Sequence, residues 1–253
     1  MRLDSLWRRW FGGRGARQAL GCALSDAGGA LVWLARVQDG QVRVVAQSLL
    51  DGPAPDPQAR QDPHDAHVSI GLRQAIQAQR QSARRCVLAL PESACASGQL
   101  PWPTDAAEDL LEAEVLLEAA QALQAPLTDI GYDFEPGPWQ APGASGLCCR
   151  WSAARAETLS HWRRSLRAAG LRLEAVEPQE QAVRRALTLI EGAGDALWRQ
   201  APQDWIFRPV TAPGPQPDRP LDLHVLRADE RVEHVWPQLV ACGLALRCWQ
   251  EPV

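Results

Sequence analysis

The chain has 253 residues, enough for one large domain or two subdomains around a substantial core. A formal net charge of −4 argues against indiscriminate nucleic-acid binding, and the reading includes no nucleic-acid partner. Every basic side chain is arginine, and the absence of lysine excludes a P-loop lysine and a Schiff-base lysine alike.

Seven cysteines, Cys22, Cys86, Cys95, Cys148, Cys149, Cys242 and Cys248, include no C-x-x-C pair. They read as reduced small hydrophobes of a cytosolic core rather than as disulfides or metal ligands. His64 and His67 sit in a Pro/Asp-rich stretch without thiol or carboxylate neighbours at regular spacing, so neither a metal nor a cofactor is expected. No apolar run approaches the ~20 residues of a membrane span. No signal peptide is visible, which points to the cytoplasm.

In chain order, Leu3, Leu6, Trp7, Trp10 and Phe11 fall at i, i+3, i+4, i+7 and i+8, among Arg2, Arg8, Arg9, Arg14 and Arg17. This spacing predicts a short basic amphipathic helix over 1–17. Two roles suit it: lying on anionic lipid headgroups through Trp7, Arg8, Arg9, Trp10 and Phe11, or packing on its own domain. Residues 19–33 predict a strand, a Gly-containing turn around Asp26–Gly29 and a second strand. A third follows over 42–49 after the Asp39-Gly40 turn signal. Residues 51–66 read as a loop. A helix over 68–81 turns Ile70, Leu72, Ala75 and Ile76 toward the core.

The run Val87-Leu88-Ala89-Leu90, stopped by Pro91, reads as a buried strand. A second extended piece ends in Pro101-Trp102-Pro103, through which no helix passes. Thr104 and Asp105 offer N-caps, with Glu108 at capping-box spacing, for a helix reaching about Leu123. Leu110, Leu111, Glu114, Leu117 and 120–123 are read as its one mostly apolar face. Its acidic residues read as a solvated face or as a docking surface for a basic partner. Residues 131–134 return as a short strand.

Residues 146–151 predict a strand, and Ser152 is read as the cap of a helix through Ala169, ended by Gly170. A strand over 171–176 and a helix opening at Pro178 follow. Residues 211–220 read as linker. Residues 221–226 and 231–235 are expected to form a hairpin, and 237–249 a closing helix. No nucleophile–base arrangement of a known hydrolytic kind occurs.

The order strand, ALP, strand, Pro, acidic helix, Pro-Leu and YDF strand resembles the PilM family, the actin-like proteins of the type IV pilus assembly platform. RWSAARAETLSHWRRSLRAAGLRLEAVEPQEQAVRRAL and ACGLALR extend the resemblance, so that it spans about Leu20 to Trp249. It implies an α/β fold: an actin-like (ribonuclease H-like) core subdomain with an inserted small α/β subdomain and a second lobe reduced or missing. The implied division is 1–17 basic segment, 18–85 and 151–192 core, 86–150 insertion, and 193–253 reduced second lobe.

Functionally, the resemblance implies a non-enzymatic adaptor under the inner membrane. Its partner would be the cytoplasmic N-terminal peptide of a PilN-like protein, held in a groove between the core subdomain and the inserted subdomain. The implied lining is Leu100, Trp102, Leu110, Glu114, Leu117, Glu118, Tyr132 and Phe134. Where the family's first phosphate loop carries its acidic residue this sequence has Ala23; Ser25 replaces the glycine, and Asp26 is displaced. A methyl group ligates no Mg²⁺, so no nucleotide cofactor is expected. The alternatives are a nucleotide-binding actin-like ATPase and a component like the cytoplasmic domain of a type II secretion platform protein.

Overall fold

The computed structural model describes residues 18–25, 28–37, 40–51, 64–79, 81–102, 108–137, 147–192, 197, 199–208 and 230–249. Their strands are β1 (Gln18–Ser25), β2 (Gly28–Arg36), β3 (Val42–Asp51), β4 (Arg85–Ala89), β5 (Cys95–Trp102), β6 (Ile130–Gly137), β7 (Leu147–Arg155), β8 (Arg172–Val176) and β9 (Ile206–Phe207). The helices are α1 (His64–Gln79), α2 (Glu108–Leu123), α3 (Ala156–Ala168), α4 (Gln179–Leu189), α5 (Glu230–Glu233) and α6 (Trp236–Arg247). The chain divides into a small unit containing Glu92–Trp162 and a larger unit containing Gly13–Pro91 and Arg163–Val253.

The larger unit is built on a six-stranded sheet of order β8-β4-β1-β2-β3-β9. β1, β2 and β3 form antiparallel hairpins, whereas β4 and β8 run parallel to β1. The parallel strands explain the sequence. A strand covered on both faces reads as a continuous apolar run, and Cys86, Val87, Leu88 and Ala89 are all buried. That run therefore belongs to the main sheet, and the small unit starts at Glu92, not at 86 as expected.

α6 lies across β1, β2 and β4 and packs on α4. Its residues Leu239 to Leu246 are buried without exception, so it has no solvated face. Two glycines permit its close approach. A Cβ on Gly21 of β1 would lie 1.9 Å from the Ala241 carbonyl oxygen, and one on Gly243 of α6 would lie 1.8 Å from that of Ala182 in α4. At such distances only hydrogen fits, so helix backbone rests directly on strand and helix backbone.

The polar counterpart is an ion cluster on buried Glu177. Its carboxylate accepts from Arg185 Nη1 at 2.5 Å and Nη2 at 3.1 Å, and it also pairs with Arg247 of α6. Arg185 Nη1 donates in addition to the Gly243 carbonyl at 2.9 Å. Burial pushes the Glu177 carboxyl up, but the two guanidiniums outweigh it and hold the group below its ordinary value.

Other sequence expectations meet the structure unevenly. Gly170 takes φ +83° and closes α3 as a left-handed C-terminal turn, with Leu171 N–H donating to Leu166 O and Gly170 N–H to Arg167 O. Ser152 caps no helix: it lies inside β7, opposite Ser97 and Asp133, because pairing on both sides carries that strand on to Arg155. Of the expected second hairpin, 231–233 is helical, within α5, and 221–226 lies outside the described residues. The described residues after 193 belong to the larger unit and form no separate lobe. The basic segment 1–17 lies outside the described residues.

Removing the Glu177 charge leaves two guanidiniums facing a buried neutral group, so Glu177→Gln should cost about 3–5 kcal/mol in chemical denaturation at neutral pH. Because the folded-state pKa is depressed, the wild-type contribution is complete above the unfolded value of about 4.3 and is lost as pH falls below it. The difference between wild type and variant should therefore shrink on acidification through that region. A difference that stays constant there would contradict the assignment.

Candidate functional site

In the small unit, α2 covers a three-stranded antiparallel sheet of order β5-β7-β6 and touches all three strands. Leu111, Val115 and Ala119, at i, i+4 and i+8, form its buried stripe. They pack on Ile130, Tyr132 and Phe134 of β6 and on Cys149, Trp151 and Ala153 of β7, with Leu100 of β5 half-buried at the edge. Gly98 of β5 admits the Trp151 indole, which a Cβ there would meet at 2.7 Å. The Tyr132 hydroxyl donates to Glu112 Oε1 at 2.5 Å, tying β6 to the helix.

The C-terminal end of α2 is closed by Gln124 in the left-handed region at φ 47°. Gln124 N–H donates to Gln121 O, Ala125 N–H donates to Ala120 O, and Arg155 of β7 donates to the carbonyls of Leu123 and Gln124 at 2.9 and 3.3 Å. A guanidinium at this end satisfies free carbonyls and complements the helix dipole.

The opposite face of α2 is open. Leu110 is 56% and Leu117 58% exposed, with Asp109, Ala113, Glu114, Glu118 and Gln121 exposed around them. Residues 110, 114, 117 and 121 follow i, i+4, i+7 and i+11, a single stripe directly away from the core. The expected single apolar face is thus corrected: Leu111 belongs to the core stripe, whereas Leu110, Glu114, Leu117 and Glu118 look outward. Periodicity misses this because the helix carries two leucine stripes. The i, i+4, i+8 run of Leu111, Val115 and Ala119 is the signal that separates them.

The residues inferred to line a peptide site are therefore not all on one surface. Leu110, Glu114, Leu117 and Glu118 share the outer face of α2. Tyr132 and Phe134 are 5% and 7% exposed beneath α2, where they position the helix and cannot meet a ligand without displacing it. Leu100 packs on the same core. Trp102 ends β5, and its side chain lies outside the described residues.

At the other inferred site, Ala23 is buried in β1 between Ala30 of β2 and Ala89 of β4. Ser25 ends β1; Asp26 and the membrane-contact residues Trp7, Arg8, Arg9, Trp10 and Phe11 lie outside the described residues. The strand ends here are tied together by Gln179, which sequence reasoning missed. Its Nε2 donates to the carbonyls of Leu24 at 2.8 Å and Leu90 at 3.1 Å, while its Oε1 accepts from Trp236 Nε1 at 3.3 Å. Among the described residues no three His, Cys, Asp or Glu side chains converge as a metal site. Burial pushes the Cys22 thiol up to about 12, and those of Cys149 and Cys248 to about 11, which keeps them protonated and inert.

The profile of a family described as "Type IV pilus assembly protein PilM" matches residues 43–195, more than half of the chain. The chain belongs to the PilM family. Its fold resembles a solved "PilM-PilN type IV pilus biogenesis complex" with TM-score 0.50 and 21% identity, over 67% of this chain and 50% of that one. This PilM-family chain thus spans half the length of that relative. It also matches the cytoplasmic domain of EpsL, an inner membrane component of the type II secretion system of Vibrio cholerae. There the TM-score is 0.44 and the identity 16%, over 65% and 58% of the two chains. No curated protein matches. The fold is therefore α/β with an actin-like core, and the α2 unit is inserted between β4 and the second part of that core. No helix among the described residues is long and apolar enough to cross a membrane.

The two leucine stripes of α2 should separate cleanly by mutation. Leu111→Ala is expected to destabilise the chain by about 2–5 kcal/mol, whereas Leu117→Ala should change stability by less than about 0.5 kcal/mol. Chemical denaturation of both variants checks this. Equal losses would mean that both stripes are covered.

Proposed function

We propose that this PilM-family chain is a non-enzymatic adaptor of the type IV pilus assembly platform. It works in the cytoplasm beside the inner membrane. Its partner is the cytoplasmic N-terminal peptide of a PilN-like membrane protein, and the outer face of α2 supplies the grip. The observation that carries the proposal is the unpartnered stripe of Leu110 and Leu117, each more than half exposed and flanked by Glu114 and Glu118. Exposed leucines on a helix already holding a core with its other side suit an apolar anchor. The carboxylates suit a basic flank, steering the encounter and setting orientation. The solved PilM–PilN complex lends the partner class.

The non-enzymatic part of the reading is supported by chemistry at the strand ends. Ala23 offers no oxygen to a metal ion, and the Leu24 and Leu90 carbonyls are already engaged by Gln179. Neither nucleotide nor metal is assigned a role.

Isothermal titration of the full chain with the synthetic N-terminal peptide of a PilN-like protein from the same organism tests the proposal. Saturable binding should weaken about tenfold or more, about 1.4 kcal/mol, on Glu114→Arg or Leu117→Glu, and should weaken with salt. Indifference to both changes would remove α2 from the interface. Titration with Mg·ATP in the same calorimeter should give no saturable heat, and a micromolar dissociation constant would overturn the non-enzymatic reading.

A further inference from the structure

The larger unit gathers exposed arginines where β4 and β8 begin. Arg84 precedes β4 and Arg172 opens β8; the Arg172 N–H donates to Arg84 O at 2.7 Å, so the two lie side by side. α3 reaches the same place through the Gly170 turn. Its buried side takes His161, Trp162, Ser165 and Leu166. Arg163, Arg164 and Arg167, at i, i+1 and i+4, are left together on the exposed side. Arg73 of α1, also exposed, donates to the Ala168 carbonyl at 2.8 Å and brings its charge to the same end of α3. Little acid balances these groups. Glu174 is paired with Arg85, and the one acidic residue of α3, Glu157, stands in its first turn. None of Arg84, Arg163, Arg164 and Arg167 forms an ion pair with another described residue.

Resting on the reading of the chain as a platform component beside the inner membrane, we propose that this arginine patch is a contact for the anionic phospholipid headgroups of that membrane. Two properties select lipid over a protein partner. No exposed large hydrophobic among the described residues belongs to α3, to β8 or to the residues just before β4. A protein is gripped through buried apolar anchors, whereas an anionic bilayer holds a basic surface by charge alone. The arginines also come from four separate stretches of chain and are spread over a surface, which suits many laterally mobile phosphates, each open to bidentate pairing with a guanidinium. The chain as a whole is acidic at −4, so the attraction is confined to this patch and orients the larger unit, turning the starts of β4 and β8 to the bilayer. Each contact with lipid adds to the hold of a membrane-anchored partner, since the second attachment becomes intramolecular.

Co-sedimentation of the full chain with lipid vesicles, in the absence of partner peptide, tests this. The chain should bind vesicles containing phosphatidylglycerol, ignore those of phosphatidylcholine alone, and be released by high salt. An arginine near an anionic surface contributes about fivefold, so Arg163→Gln with Arg167→Gln should weaken vesicle binding about 25-fold. Both side chains are exposed, so the thermal midpoint of that variant should be unchanged. Its titration with partner peptide, which contains no lipid, should also match wild type; failure of the vesicle assay therefore leaves the peptide-binding reading standing. A wild-type chain that ignores phosphatidylglycerol, or a variant that binds it as tightly as wild type, would overturn the proposal. So would vesicle binding that is lost only when the arginines of 1–17 are replaced. Loss of peptide binding with vesicle binding intact would make the patch a protein contact instead. Tighter binding to a short DNA duplex than to vesicles of equal phosphate content would make it a nucleic-acid contact, again against the proposal.

Discussion

Everything in the larger unit leans on the contact between α6 and the first strand of the sheet. With Gly21 and Gly243 lacking side chains, the helix descends until its backbone meets β1 on one side and α4 on the other. Such close packing maximises apolar burial but leaves no room for a polar face. The helix consequently carries polar function only at its ends. Trp236 reaches Gln179 at one, and Arg247 reaches Glu177 at the other. One helix therefore fixes the two polar clusters that hold β1, β4, β8 and α4 together.

The small unit solves a different problem with a helix of similar length. α2 has a core of nine buried residues shared with only three strands, and it is held by Glu112 at one turn and by Arg155 at its C-terminal end. This leaves half of its circumference free. A soluble protein seldom gains stability by exposing leucine. Two of them at i and i+7 on one face, rimmed by acid, make sense as recognition chemistry. The contrast between α6 and α2 is a division of labour: one helix is all core, and the other gives half of itself to the surface.

Much of this was legible in the residues. The all-apolar runs of β1, β2 and β4, the stop at Gly170, the start at Pro178 and the family order from β4 to β6 all follow from local chemistry. What escaped was set by tertiary pairing. Ser152 has the chemistry of a cap but lies in the central strand of a three-stranded sheet, where two partners outweigh local preference. Leu110 and Leu111 are neighbours in sequence, yet one is exposed and the other buried, and only the i, i+4, i+8 run through Val115 and Ala119 marks which one the strands cover. Gln179 looks like an ordinary polar residue in the first turn of a helix. Its role appears only when Leu24 and Leu90, distant in sequence, converge upon it.

The central claim is that α2, and not the strand ends of the core, is where this PilM-family protein takes hold of its partner. Amide hydrogen exchange of the full chain, with and without saturating partner peptide, tests it most directly. The account predicts slowed exchange across 108–123, with 18–25 and 85–91 unchanged. Unaltered exchange in α2 together with new protection at the ends of β1 and β4 would contradict it.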